Sequence, residues 1–196
     1  MTKFNQPPVT ISVLALSEKV GKTTTAYFIA ANLLKLNHNV TIQRVDQDDS
    51  VILSNNPDQQ QFNLLDCTAT LDTQQDQTAI QHSQLFVIPV FLTAYSINEI
   101  EQTIAKISEF KQQIANASIF ILPRKIESQG SDTAKNLYGL LRNNYKNDSR
   151  IVLLPTIPWV TNLKVSPNQL SAADSSTSNE QLSKAYAPVV DQLHLD

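Results

Sequence analysis

VLALSEKVGKTTTAYFIAANLL, residues 13–34, sets how the rest of the chain is read. A β-rich apolar run, Val9–Leu16, ends on a polar turn, Ser17 to Gly21, and a helical pattern starts at Lys22. Its apolar residues Phe28, Ile29, Leu33 and Leu36 fall on one helical face. Gly21 is the only glycine in the first 129 residues. In so glycine-poor a chain, one placed between strand and helix marks a backbone that a Cβ would obstruct.

Working outward, apolar runs and helical patterns alternate. Val40–Val45 is a second strand, Asn63–Asp66 a short buried one ending in a carboxylate, and Leu85–Phe91 a nearly continuous apolar run. A helix follows over 96–115, then strands at Ile119–Leu122 and Ile151–Leu154 with a helix over Asp132–Tyr145 between them. A last helix is expected over Asn179–Leu193. Apolar strands each followed by a helix imply a doubly wound, mainly parallel sheet in an α/β domain covering 1–196. Such sheets bind ligands at the carboxyl ends of their strands.

Strand, SEKVGKT, helix is the context of a phosphate-binding P-loop. Backbone N–H groups at the helix start and the helix dipole favour an anion there. Gly21 lets the backbone approach the phosphates, Lys22 reaches the β- and γ-phosphates, and the Thr23 hydroxyl ligates Mg2+. The full pattern G-x-x-x-x-G-K-[ST] wants a glycine where Leu16 stands, so half of it is missing.

The block VGKTTTAYFIAANLL resembles the VGKTTTA-x-x-LA-x-x-L block of the ParA/MinD family, the deviant-Walker ATPases that position plasmids and division sites. That family's loop reads KGGVGKTT, and its signature lysine, which crosses the dimer interface, is Ser17 here. Val45-Asp46-Gln47-Asp48-Asp49-Ser50 falls at the family's D-x-D-P-Q-x-S switch, with Asp46 matching the water-positioning aspartate and Arg44 replacing the first. Leu64-Leu65-Asp66-Cys67-Thr68 resembles the second switch, where Asp66 matches the aspartate that holds the Mg2+ shell through water. FILPRKIES is close to the ITRKIE of small ParF-type partition ATPases, and LLPTIPW fits the last strand, beside the base.

The resemblance implies an ATPase that uses ATP and Mg2+, with Lys22 and Asp46 catalytic. It assigns Glu18, Lys19, Val20, Gly21, Lys22, Thr23, Thr24, Arg124 and Pro158 to the nucleotide, and Thr23 and Asp66 to the metal. It further implies a homodimer closed by ATP, non-specific binding to nucleoid DNA and a small adaptor of McdB or ParB type. Serine at the signature position is similar to the carboxysome-positioning McdA branch, with plasmid partition the nearest rival. Lys164, Lys19 and Lys125, in that order, are the candidates to replace the missing interface cation.

Composition fits. Apolar residues make up 41% and charged residues 17%, the net charge is −3, and no 18-residue apolar stretch could span a membrane. MTKFNQPPVT lacks a signal-peptide core and Cys67 is the single cysteine, which together indicate the cytosol. Between Thr103 and Lys164 lie nine basic residues against four acids, so a positive face is possible on an acidic protein. A solvated surface with scattered lysines explains the same charges. Arg142, Lys146, Arg150 and Lys184 are the DNA-binding candidates.

Other residues read more plainly. Asp48 and Asp49, beside Asp46, read as a solvated acidic loop rather than a metal cluster. His38, His82 and His194 are dispersed surface residues, Cys67 is a small core-edge residue, and Trp159 packs, stacks near a base or faces a partner. A reading of another class is a metabolic P-loop ligase resembling dethiobiotin synthetase, which shares the fold. It needs carboxylate- or amine-binding groups beside the γ-phosphate, and the sequence offers no dedicated set.

Overall fold

The computed structural model describes residues 7–47, 49–53, 59–110, 117–126, 130–158 and 177–192. Asp48, Trp159, Lys164 and His194, each singled out above, lie outside them.

The elements are β1 (Val9–Val13), α1 (Lys22–Lys35), β2 (Asn39–Arg44), β3 (Asp49–Ile52), β4 (Gln61–Asp66), α2 (Gln74–His82), β5 (Leu85–Phe91), α3 (Ser96–Phe110), β6 (Ser118–Arg124), α4 (Ser131–Tyr145), β7 (Ile151–Leu153) and α5 (Thr177–Gln192). The seven strands are ordered β3-β2-β4-β1-β5-β6-β7. Every pairing is parallel except β2 with β3. Among the described residues no helix is long and apolar enough to cross a membrane.

Strand alternation sorts side chains into two cores. Ile11 and Val13 of β1, Phe62 and Leu64 of β4, Val87 of β5 and Phe120 and Leu122 of β6 pack beneath α1 and α5. Leu14, Phe86, Ile88, Val90, Ile119 and Ile121 pack against α2, α3 and α4. Covering both faces is what a parallel sheet of apolar strands requires. Helix α5 runs antiparallel to α1: Ser183 meets Asn32 and Lys35, whereas Tyr186 stacks on Phe28 and its hydroxyl lies 3.0 Å from that of Thr25.

Two elements were not foreseen. Strand β3 is four residues long and lies at the sheet edge, where a parallel core's apolar run is not needed. Helix α2 reads QQDQTAIQH and buries only Asp76, Ala79 and Ile80, so its periodicity is faint. A capping box starts it instead: the Thr73 hydroxyl accepts from the Asp76 N–H, and the Asp76 carboxylate accepts from the Thr73 N–H. The first strand also stops at Val13, before the expected Leu16, because residues 14–16 already belong to the turn over the carboxyl edge.

Candidate nucleotide site at the carboxyl edge

The segment from Leu14 to Gly21 leaves β1 at the centre of the sheet and curls into the start of α1. Two residues of the turn adopt left-handed backbone, Lys19 at φ 58° and Gly21 at φ 89°. Gly21 is the N-cap of α1, and its carbonyl accepts the Thr25 N–H at 2.9 Å, the first helical hydrogen bond. The first turn of α1 holds no acidic residue, so the positive end of its dipole is not offset from within the helix. Leu16, where the full motif has glycine, keeps ordinary negative φ and half-buries its side chain in the α2–α4 core. Its N–H donates to the Thr103 hydroxyl at 3.3 Å, an anchor from α3 that carries no sequence signal.

The Lys22 ammonium folds over the loop and donates to the carbonyls of Ser17 at 2.9 Å and Ala15 at 3.3 Å. Burial pushes its pKa below the ordinary lysine value, and Asp66 nearby pulls it partly back. Thr23 is exposed at the mouth, and its hydroxyl donates to Asp66 Oδ2 at 2.6 Å. Asp66 ends β4, is 6% exposed, and has its pKa raised chiefly by burial, against the opposing effects of the Thr23 hydrogen bond, Arg44 and Lys22.

Arg44 ends β2 in register beside Asp66, and its guanidinium lies 3.6 Å from the Asp46 carboxylate in the following turn. Asp46 is exposed, which leaves it open to solvent beside Asp66. Glu18 and Lys19 are exposed on the outer lip, Val20 is buried, and Thr24 is half-buried. Arg124 closes the far side from the end of β6, donating to the Val20 carbonyl at 2.7 Å. Lys125 is half-buried with its N–H on the Ile157 carbonyl, and Pro158 is exposed beyond it. One end of the sheet therefore gathers the turn and its lysine, Thr23, Asp66, Asp46 and Arg124.

The cradle suits a Mg2+-bound triphosphate on the chemistry of its donors. A hydroxyl and a carboxylate are hard oxygen ligands, the head of α1 and the Lys22 ammonium bring positive charge of the kind an anion requires, and Mg2+ takes few protein ligands when phosphates complete its shell. Among the described residues no cluster of three or more His, Cys, Asp or Glu could hold a metal by itself.

Cys67 is buried beside Asp66, and burial pushes its thiol pKa strongly upward, which removes it as a nucleophile. Asp76 is fully buried, accepts from both the N–H and hydroxyl of Thr68, and so ties the loop after Asp66 to α2. Its T-x-x-D capping spacing was a signal the sequence did offer. His38 departs from a plain surface reading: it is half-buried, edge-on to Phe62 at 5.0 Å.

The basic candidates do not share one surface. Arg142 and Lys146 are exposed at the end of α4, and Arg150 lies just before β7, all towards the amino edge of the sheet. Arg150 is held bidentate by Asp148, with contacts of 2.9 and 2.6 Å. Lys184 lies on α5, over the opposite face of the sheet, 2.7 Å from Glu180.

A groove of about 550 Å3 between α2 and strands β2 and β4 is lined by Gln43, Asn63, Gln74, Thr78 and His82 among others. Among the described residues, no lysine, arginine, aspartate or glutamate lines it.

This is the doubly wound, mainly parallel fold of P-loop NTPases of the ParA/MinD type. No family model matches the sequence, and no curated protein matches it either. Solved structures do. The ATP complex of a Cyanothece McdA variant superposes with a TM-score of 0.62 at 14% identity, covering 93% of this chain and 96% of that one. The pNOB8 ParA bound to nonspecific DNA gives 0.61 at 13% identity, with coverages of 95% and 98%. Cobyrinic acid a,c-diamide synthase from Mycobacterium smegmatis, with ADP and magnesium, gives 0.66 at 14% identity, with coverages of 95% and 94%.

Proposed function

We propose that this protein is a Mg2+-dependent ATPase of ParA type, one domain over 1–196 that works as a nucleotide switch. The observation that carries the reading is the contact between the Thr23 hydroxyl and Asp66 at 2.6 Å, beside an ammonium folded over the turn that precedes it. In this reading Lys22 leaves the Ser17 and Ala15 carbonyls for the β- and γ-phosphate oxygens, and the first-turn N–H groups of α1 hold the same oxygens. Thr23 and Asp66 hold the Mg2+ shell, Asp66 through water. Bound there, the metal neutralises charge developing on the transferred phosphoryl group. Asp46, exposed beside Asp66, orients the attacking water. Phosphoryl transfer needs such positioning and charge stabilisation more than covalent chemistry.

ATP closes a homodimer, and the dimer holds DNA without sequence preference until hydrolysis releases it. The DNA complex of a ParA protein with this fold supports that step, and the ATP complex of an McdA variant supports the nucleotide step. The McdA-like serine at Ser17 favours carboxysomes as cargo and an adaptor of McdB type; plasmid partition with an adaptor of ParB type comes next. The protein is then cytoplasmic and nucleoid-associated. Filter retention of a random duplex, with ATP or ADP at increasing salt, tests the switch. ATP-dependent retention with a log–log salt slope of several units is expected for multiple phosphate contacts. Retention that ignores the nucleotide would reject it.

The likeness to cobyrinic acid a,c-diamide synthase favours a second reading, a metabolic ligase. Among the described residues, the groove beside α2 offers such an enzyme no lysine, arginine, aspartate or glutamate to hold a carboxylate or amine substrate. A small acceptor that accelerates ADP release manyfold would establish it.

A further inference from the structure

Arg124 leaves the end of β6 and lays its guanidinium across the head of the P-loop. A Cβ added to Gly21 would lie 1.4 Å from Nη1 and 2.6 Å from Cζ, so the guanidinium fills the space that glycine leaves open. Nη1 donates to the Val20 carbonyl at 2.7 Å. The arm that carries this group is fixed along its length. Its carbonyl accepts the Leu92 N–H at 2.9 Å, its backbone bridges to Ile157, and Cζ stands 5.9 Å from the Phe91 ring centroid. Nε is buried and has no hydrogen-bond partner among the described residues, so the hydrogen bond to Val20 is the arginine's main polar tie.

We infer that Arg124 is a positioning residue which sets the orientation of the Val20–Gly21 peptide. In a trans peptide the carbonyl and the N–H point to opposite sides. Fixing the Val20 carbonyl on Arg124 therefore turns the Gly21 N–H away from the guanidinium and into the anion cradle. A strand and a loop separated by about a hundred residues are thereby joined at the one peptide the cradle most needs to hold still. Gly21 answers to two demands at once, its left-handed φ and the guanidinium against its Cα. This role rests on the proposed nucleotide site, and it differs from a direct contact of Arg124 with base or phosphate.

The test combines ligand-free thermal melts with competition binding. Gly21→Ala, Arg124→Ala and the double variant are melted without nucleotide. Positioning predicts coupling: the left-handed φ strains alanine at position 21 in both backgrounds, but the clash with a guanidinium held in place is added only while Arg124 is present. The alanine at position 21 should then lower the melting temperature less in the Arg124→Ala background; equal losses in both backgrounds overturn the inference. Binding of ATP, GTP and inorganic tripolyphosphate with Mg2+ is then compared for wild type, Arg124→Ala and Arg124→Lys.

Loss of a charge-assisted hydrogen bond should weaken all three ligands by about tenfold in Arg124→Ala. Arg124→Lys, which retains a donor for Val20, should lose less. A loss confined to ATP would make Arg124 a base contact and overturn the role. Tripolyphosphate losses in Gly21→Ala and Arg124→Ala that simply add in the double variant would make it a phosphate contact, with the same consequence. Lys22→Ala in the same assay separates the two claims. If wild type binds no ligand through Lys22, the nucleotide reading fails, while the melts still decide the coupling.

Discussion

Asp66→Asn should make the protein more stable at neutral pH while disabling it. Asp66 is 6% exposed and carries one short side-chain hydrogen bond, from Thr23. Burial raises its carboxyl pKa above the ordinary 3.8 even with Thr23, Arg44 and Lys22 acting against the rise. A raised carboxylate pKa means that the folded state holds the proton more tightly than the unfolded chain does. Its contribution to stability is therefore fully present below pH 3.8 and is lost as pH climbs through the raised value. Asparagine keeps the volume and an oxygen for the Thr23 hydroxyl, but has no charge to bury. Replacing such a buried charge typically adds about 1 kcal/mol, or roughly 2–4 °C in Tm for a chain of this size. Thermal denaturation in EDTA without nucleotide, followed by circular dichroism from pH 4 to pH 8, reads the difference. The variant should melt above wild type at pH 7, with the gap closing towards pH 4. A variant that melts lower at neutral pH, or a gap that ignores pH, would refute the reasoning that Asp66 is held at a cost.

Tyr186→Phe removes the hydroxyl paired with Thr25 in the α1–α5 core and leaves the Thr25 hydroxyl buried, so Tm should drop by roughly 3–6 °C at a cost of about 1–2 kcal/mol. Asp46→Ala should retain ATP binding while phosphate release in a coupled assay slows, since the side chain is exposed beside Asp66 and outside the turn proposed to cradle phosphate. Alanine at Lys19, Lys125 or Lys164 should weaken ATP-dependent dimerisation in sedimentation at the residue that supplies the missing interface cation. Three variants that dimerise like wild type would end the substitute-lysine idea.

The fold was legible because its central strands are nearly continuous in apolar residues. Leu85–Phe91 and the run leading into the turn before α1 leave no other layer to occupy than the middle of a parallel sheet. Legibility failed where burial is slight. Helix α2 is rich in glutamine and β3 is a short edge strand, so neither carries a strong period. The places of Lys22, Thr23 and Asp66 at the carboxyl edge were readable because each ends or begins an element whose type was clear; their roles belong to the proposal. Thr103 and the clamping role of Arg124 were not, since both act on backbone atoms of the loop from distant strands and helices. The four basic candidates show the same limit: sequence counts charges, but it does not reveal that Arg150 and Lys184 already face carboxylates.

Titration of a fluorescent ATP analogue in Mg2+ against wild type and Lys22→Ala tests the nucleotide site most directly. In the proposed site the ammonium over the loop is the charge that meets the phosphates, and at an effective dielectric of about 20 a unit pair about 4 Å apart is worth roughly 4 kcal/mol before desolvation. That corresponds to about three decades in Kd, of which at least one should survive the desolvation of both partners. Wild type should saturate, and Lys22→Ala should bind at least tenfold more weakly while melting as a folded protein. Equal affinity in the two proteins would contradict the P-loop assignment.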